Sequence, residues 1–60
     1  MFKFNVGDSV SWIWGGFNKK IYYGTIFKLD QNYHTAQIKY LNDKGEEKIA
    51  SVGYLYIQKN

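Results

Sequence analysis

The chain contains no cysteine, no proline and no arginine. Without cysteine, neither a disulfide framework nor a cysteine-based zinc site can stabilise it, and the redox compartment is left open. Without arginine, the planar guanidinium that reads guanine edges and phosphates in a two-pronged way is missing. Lysine acts only as a point charge, so sequence-specific DNA reading is disfavoured. Histidine occurs once, at His34, which excludes a multi-histidine metal site. Met1-Phe2-Lys3-Phe4-Asn5 lacks the apolar core of roughly 7–15 residues that a secretory signal needs, and runs such as Trp12-Ile13-Trp14 are far too short to span a bilayer. The expectation is a cytoplasmic protein, nuclear if the source is eukaryotic, with no membrane partner. No proline-rich linker, internal repeat or low-complexity tract divides the sequence.

What is present is a short, aromatic-rich, mildly basic chain. Sixty residues fit one domain, residues 1–60, because a chain of this length buries only about 60% of its unfolded surface. Aromatic residues make up 20% of it, and each buried ring removes on the order of 150–250 Å² from water, which is how so short a chain can build a core. Eight lysines against five acids give a net charge of +3, which favours anionic partners without requiring one. Packing within the chain or self-association must supply stability, so a monomer and a small homo-oligomer both remain open, including a catalytic or structural pore made only on assembly.

No window shows the i, i+3, i+4, i+7 apolar spacing of an amphipathic helix, whereas period-two alternation recurs. After a turn at Asn5-Val6-Gly7-Asp8, Ser9 to Trp14 places Val10, Trp12 and Trp14 on one face. Gly15 to Lys20 reads as a loop with two glycines free to take positive φ. Ile21 to Leu29 reads as a long second strand, with Gly24 marking a bend or bulge. A polar turn over Asp30 to His34 leads to Thr35–Leu41, where Ala36, Ile38 and Tyr40 share a face. Asn42-Asp43-Lys44-Gly45 fits a hairpin loop built on a type I turn, with Gly45 in the left-handed position. Glu46–Ala50 is expected as a fourth strand with Glu47 and Ile49 on one face, Ser51-Val52-Gly53 as a short turn, and Tyr54–Ile57 as a fifth strand. The fold class implied is all-β, a five-stranded, strongly bent antiparallel SH3-like barrel whose closure removes exposed sheet edges.

Val6-Gly7-Asp8-x-Val10-Ser11-x-Ile13-Trp14, Ile21-Tyr22-x-Gly24-Thr25-Ile26, Ala36-x-Ile38-x-Tyr40, Gly45 and Leu55 together follow a known pattern in order and spacing. Over nearly its whole length the chain resembles the tudor family, including the tudor domain of the survival motor neuron protein and the bacterial tudor-like domains associated with hypervirulence proteins. The resemblance implies a non-catalytic binding module that holds a methylated arginine or lysine side chain of a protein or peptide partner in a cage of aromatic rings. A diffuse cation is attracted to π faces by about 0.5–2 kcal/mol per well-placed ring. Carried over residue by residue, the cage positions are Trp14, Tyr22 and Tyr40. The family's remaining wall is an aromatic followed shortly by Gly-Asn in the third hairpin, and here that stretch is Asn42-Asp43-Lys44-Gly45-Glu46. Asp43 and Glu46 would attract a cationic ligand there, and Lys44 would repel one.

The residues also leave a second function class open. Exposed rings beside Lys19, Lys20 and Lys28 are what a weak, sequence-tolerant single-strand nucleic-acid site uses, with bases stacked on rings and lysines following phosphates. Those lysines equally suit a solvated surface. Enzyme chemistry is not expected of the monomer, and no cofactor is implied. Glu46 and Glu47 are neighbours on a strand and point to opposite faces, which argues against a paired-carboxylate site. No spacing singles out Ser9, Ser11 or Ser51 with His34 and an aspartate as a nucleophile triad. Gly15-Gly16 lacks the third glycine and following helix of a phosphate-cradling loop.

Overall fold

The computed structural model describes residues 3–60; Met1 and Phe2, the first residues of the segment read above for a leader, lie outside them. The described chain is all-β with one short helical turn. Five strands, β1 (Ser9–Trp14), β2 (Lys20–Asp30), β3 (Thr35–Leu41), β4 (Glu47–Gly53) and β5 (Ile57–Lys59), form a single sheet in the order β4-β3-β2-β1-β5. Every pairing is antiparallel. The sheet is open: no ladder joins the edge strands β4 and β5, so the closed barrel expected from the sequence is not completed by backbone pairing.

The sheet is nonetheless strongly curled. Strands lie about 4.8 Å apart in a sheet, so β4 and β1 would stand roughly 14 Å apart if it were flat. Val10 of β1 and Val52 of β4 instead belong to one buried cluster with Trp12, Ile26, Ala36, Ile38, Ala50, Tyr54 and Ile57. The alternation seen in the sequence explains which side chains line this concave face. Directly opposed residues share a face, and the pairs Val10–Gly24, Trp12–Tyr22, Ile26–Ile38, Ile38–Ala50 and Ala36–Val52 all point inward.

β2 makes the curl possible because it serves two neighbours in turn. Lys20–Thr25 pair with β1 and Gly24–Asp30 pair with β3, so both neighbours meet at Gly24 and Thr25. A Cβ at Gly24 would sit 2.5 Å from Ile38 Cγ2 and 2.5 Å from the Lys39 carbonyl oxygen. Glycine is required there by close approach. The bulge lies three residues further on, where the register shifts between Ile26 and Lys28 and leaves Phe27 as the extra residue.

The loops follow their local chemistry. Gly7 takes φ +97°, and the Asp8 amide donates to the Asn5 carbonyl at 3.0 Å. In the β3–β4 hairpin Gly45 takes φ +79°, its amide donates to the Asn42 carbonyl at 2.9 Å, and Asn42 Oδ1 accepts from the amides of Lys44 and Glu46. Of the two glycines after β1, only Gly15 has positive φ.

The C-terminal third departs from expectation. Ser51-Val52-Gly53 continue β4 up to the pair Gly53–Thr35, because Ala50 and Val52 keep the inward alternation going; Ile49 faces outward and is 59% exposed. Tyr54–Tyr56, expected as strand, form a 3-10 turn anchored by the Tyr54 amide donating to the His34 carbonyl at 2.8 Å. That turn carries the chain from the β4 edge to the β1 edge. There β5 pairs Ile57–Lys59 with Trp12–Val10.

Candidate functional site

Trp14, Tyr22 and Tyr40 come together at one end of the concave face, and they meet around Trp12. β1 and β2 bring Trp12 opposite Tyr22 and Trp14 opposite Lys20, while β2 and β3 bring Gly24 opposite Tyr40. Because Gly24 has no side chain, the Tyr40 ring can lean over β2 toward the other rings. All six separations between the four ring centroids fall between 5.4 and 5.9 Å. Trp12 and Tyr22 are stacked and the other five pairs meet edge to face, arrangements that suit the ring quadrupoles.

Burial divides the four rings by task. Trp12 is 2% exposed and belongs to the core, whereas Trp14 is 38% exposed and Tyr22 and Tyr40 are half-buried. The indole Nε1 of Trp12 is buried without a hydrogen-bond partner, which costs about 1–3 kcal/mol and is offset by burial of the large ring around it. Rings in mutual contact fill the space between them, so there is no empty slot inside the cluster. A ligand would meet its rim, where an open groove of about 360 Å³ runs past Tyr22, Gly24, Tyr40, Asp43 and Lys20.

Asp43 stands at this rim, in the hairpin after β3, and the Lys20 Nζ donates to its Oδ1. The same ammonium lies 5.5 Å from the centroid of the Tyr22 ring, within the range of a cation–π contact. The hydrogen bond to Asp43 raises the Lys20 pKa above its ordinary value of 10.5; desolvation works against the shift, and the charges of Asp43 and Tyr22 reinforce it. Lys48, opposite Tyr40 in the β3–β4 ladder, is a second lysine on the concave side at this end.

The other residues singled out in the sequence are dispersed. Lys19 lies in the exposed loop before β2, and Lys28 pairs with Gln37 toward the far end of β2 from Lys20. Trp14, Tyr22, Tyr40, Asp43 and Lys20 are therefore brought together, and Lys28 is not. His34 is exposed in the β2–β3 turn at φ 54°, with its ring 6.1 Å from that of Tyr54.

No family model, curated protein or solved structure matches the chain. The site therefore rests on its own geometry. Among the described residues no group of three or more His, Cys, Asp or Glu is placed to hold a metal ion, and no helix is long and apolar enough to cross a membrane. The sequence reading misses the part played by Lys20 in the aromatic site, because its partner Asp43 is 23 residues away and only the curl of the sheet brings the two together.

Proposed function

We propose that this chain is a small, non-catalytic, tudor-like binding domain that holds a cationic side chain of a partner peptide, methylated arginine or lysine included, at the rim formed by Trp14, Tyr22, Tyr40 and Asp43. The observation that carries the reading is the groove in which the half-buried Tyr22 and Tyr40 rings meet the Asp43 carboxylate, with the Trp14 ring packed against both tyrosines. Rings supply the π faces that attract a diffuse cation, and the carboxylate supplies its counter-charge. The SH3-like architecture belongs to the same proposal: a curled five-stranded antiparallel sheet with a 3-10 turn before a short last strand supports it.

The nucleic-acid alternative draws less support. It asks for Lys19, Lys20 and Lys28 along one surface beside the rings, yet the Lys20 ammonium is engaged by Asp43 and Lys28 lies toward the other end of β2. A titration of isotope-labelled protein followed by NMR separates the readings, using a methylated-arginine peptide, a methylated-lysine peptide and a short single-stranded DNA. The expected result is a set of shifts confined to Trp14, Tyr22, Tyr40, Asp43 and Lys20 on adding a methylated peptide. Shifts produced by the DNA alone would replace this function with the nucleic-acid one.

A further inference from the structure

The aromatic rim already has an occupant. Three observations converge on Lys20. The β1–β2 register puts it opposite Trp14, at the ring end of the concave face. Its ammonium donates to Asp43, and that same ammonium lies 5.5 Å from the Tyr22 centroid. A carboxylate on one side and a ring face on the other are the two groups that the proposed function assigns to the ligand's cation. Resting on that reading, we infer that Lys20 is a built-in competitor: in the free protein its ammonium fills the cation position, and a ligand binds by displacing it from Asp43 and Tyr22.

The geometry makes the displacement feasible without opening the core. The side chains of Lys20 and Asp43 are 49% and 79% exposed, so the pair can separate into water while Trp12 stays buried. Lys39 is no rival for the position, because its ammonium lies 5.3 Å from the centroid of the Phe27 ring. An incoming cation has to replace both contacts that Lys20 makes. A guanidinium is suited to this, since it offers several N–H donors to a carboxylate while lying flat on a ring. A primary ammonium gains little over the one already there. Lys20 thus acts as a threshold that weak cations do not cross, and it sets the specificity of the rim.

The strap has a second effect. Asp43 belongs to the β3–β4 hairpin and Lys20 opens β2, so their contact ties the hairpin tip to the ring cluster. Displacing Lys20 from Asp43 exchanges that direct tie for one that runs through the ligand.

The test is a titration with the blocked tripeptide acetyl-Gly-Arg-Gly-amide, using acetyl-Gly-Gln-Gly-amide as the uncharged control, on wild type and Lys20→Met. A site open for only a fraction of the time loses apparent affinity by that fraction, so if Lys20 fills the rim ~90% of the time, Lys20→Met binds the arginine peptide about tenfold more tightly. In the wild type, the Lys20 side-chain resonances start displaced by the Tyr22 ring current and move toward free-lysine values as the arginine peptide, and not the glutamine peptide, is added. Equal affinity of wild type and Lys20→Met overturns the competitor while leaving the site standing. Absence of binding by both proteins, to this peptide and to the methylated ones, overturns the competitor and the site together. Should Lys20→Met melt well below the wild type, the wild-type resonances decide alone: free-lysine values before any peptide is added overturn the inference.

Discussion

Trp12 and Tyr22 lie directly opposite each other across β1 and β2, with their rings stacked at 21° and their centroids 5.9 Å apart. One of the two rings is core and the other is rim. The cluster is therefore a gradient of burial, running from Trp12 through Tyr22 and Tyr40 to Trp14, and substitutions along it should differ in kind.

Truncating a fully buried large side chain costs about 2–5 kcal/mol, which rivals the whole stability of a domain this small. Trp12→Ala and Ile38→Ala, at 2% and 0% exposure, are expected to unfold the protein. Trp14→Ala should leave it folded and remove binding, and Tyr22→Ala should fall between because its ring supports Trp12. Urea melts followed by tryptophan fluorescence rank the four. Trp14→Ala unfolding as readily as Ile38→Ala would reassign Trp14 to the core.

Trp12→Phe removes the unpartnered indole N–H while keeping a ring in place. Leaving a buried donor unsatisfied costs about 1–3 kcal/mol, so its removal offsets part of the lost packing. Trp12→Phe is expected to stay folded, with a loss smaller than the ~2–5 kcal/mol that truncating a buried large side chain to Ala costs. A urea melt in which Trp12→Phe is unfolded as fully as Ile38→Ala would show that removing the donor offsets nothing.

Three glycines separate backbone strain from steric clash. Gly45→Val meets nothing within 4 Å but forces a β-branched residue to φ +79°, at an expected cost of about 1–2 kcal/mol. Gly24→Ala drives a Cβ against the Lys39 carbonyl and Ile38, and overpacking of this kind typically costs about 1–3 kcal/mol or more. Gly16 has open space and no positive φ, so Gly16→Ala should be neutral or stabilise by about 0.4–1 kcal/mol through the unfolded chain. Thermal denaturation of the three variants checks the order, and destabilisation by Gly16→Ala would contradict it.

Asp43 raises the Lys20 pKa in the folded state, which fixes the sign of a pH effect. A group with a raised folded pKa contributes stability fully below its unfolded value, here 10.5, and loses that contribution as pH climbs through the folded value. The stability difference between wild type and Asp43→Asn should be constant from neutral pH up to 10.5 and shrink above it. A Lys20 Cε titration by NMR in the two proteins gives the direct check: the midpoint should fall in Asp43→Asn.

Much of the fold is legible locally. Gly45 announces the hairpin because Asn42 can accept from the amides of Lys44 and Glu46 and only the fourth loop residue then needs positive φ. β3 is legible because inward and outward residues alternate cleanly, and β1 because Val10, Trp12 and Trp14 share a face, although Ser11 on the other face is buried as well. Gly24 is legible as special but not for the right reason, since what demands glycine is Ile38 and Lys39 on the neighbouring strand. Ser51-Val52-Gly53 carries turn-forming residues yet continues as strand, because pairing with β3 outweighs local preference. At the site, Trp14, Tyr22 and Tyr40 are legible as a group, whereas the Lys20–Asp43 contact depends on a register and a curl that no short window contains.

The pairing of Val10 with Lys59 has a kinetic consequence. It joins residues far apart in the sequence, so the loop it closes is the largest of any strand pairing in the sheet and carries the greatest closure entropy among them. The β1–β2 and β3–β4 hairpins close short loops, but Trp12 stays uncovered on the β5 side until Ile57 arrives. The late step of folding is then the seating of a three-residue strand, and the rate should sit with all-β domains in the millisecond-to-second range rather than with helical bundles. Until that strand docks, the β1 edge stands open beside a large apolar ring, which makes the last three paired residues the guard of the exposed edge against pairing with another chain.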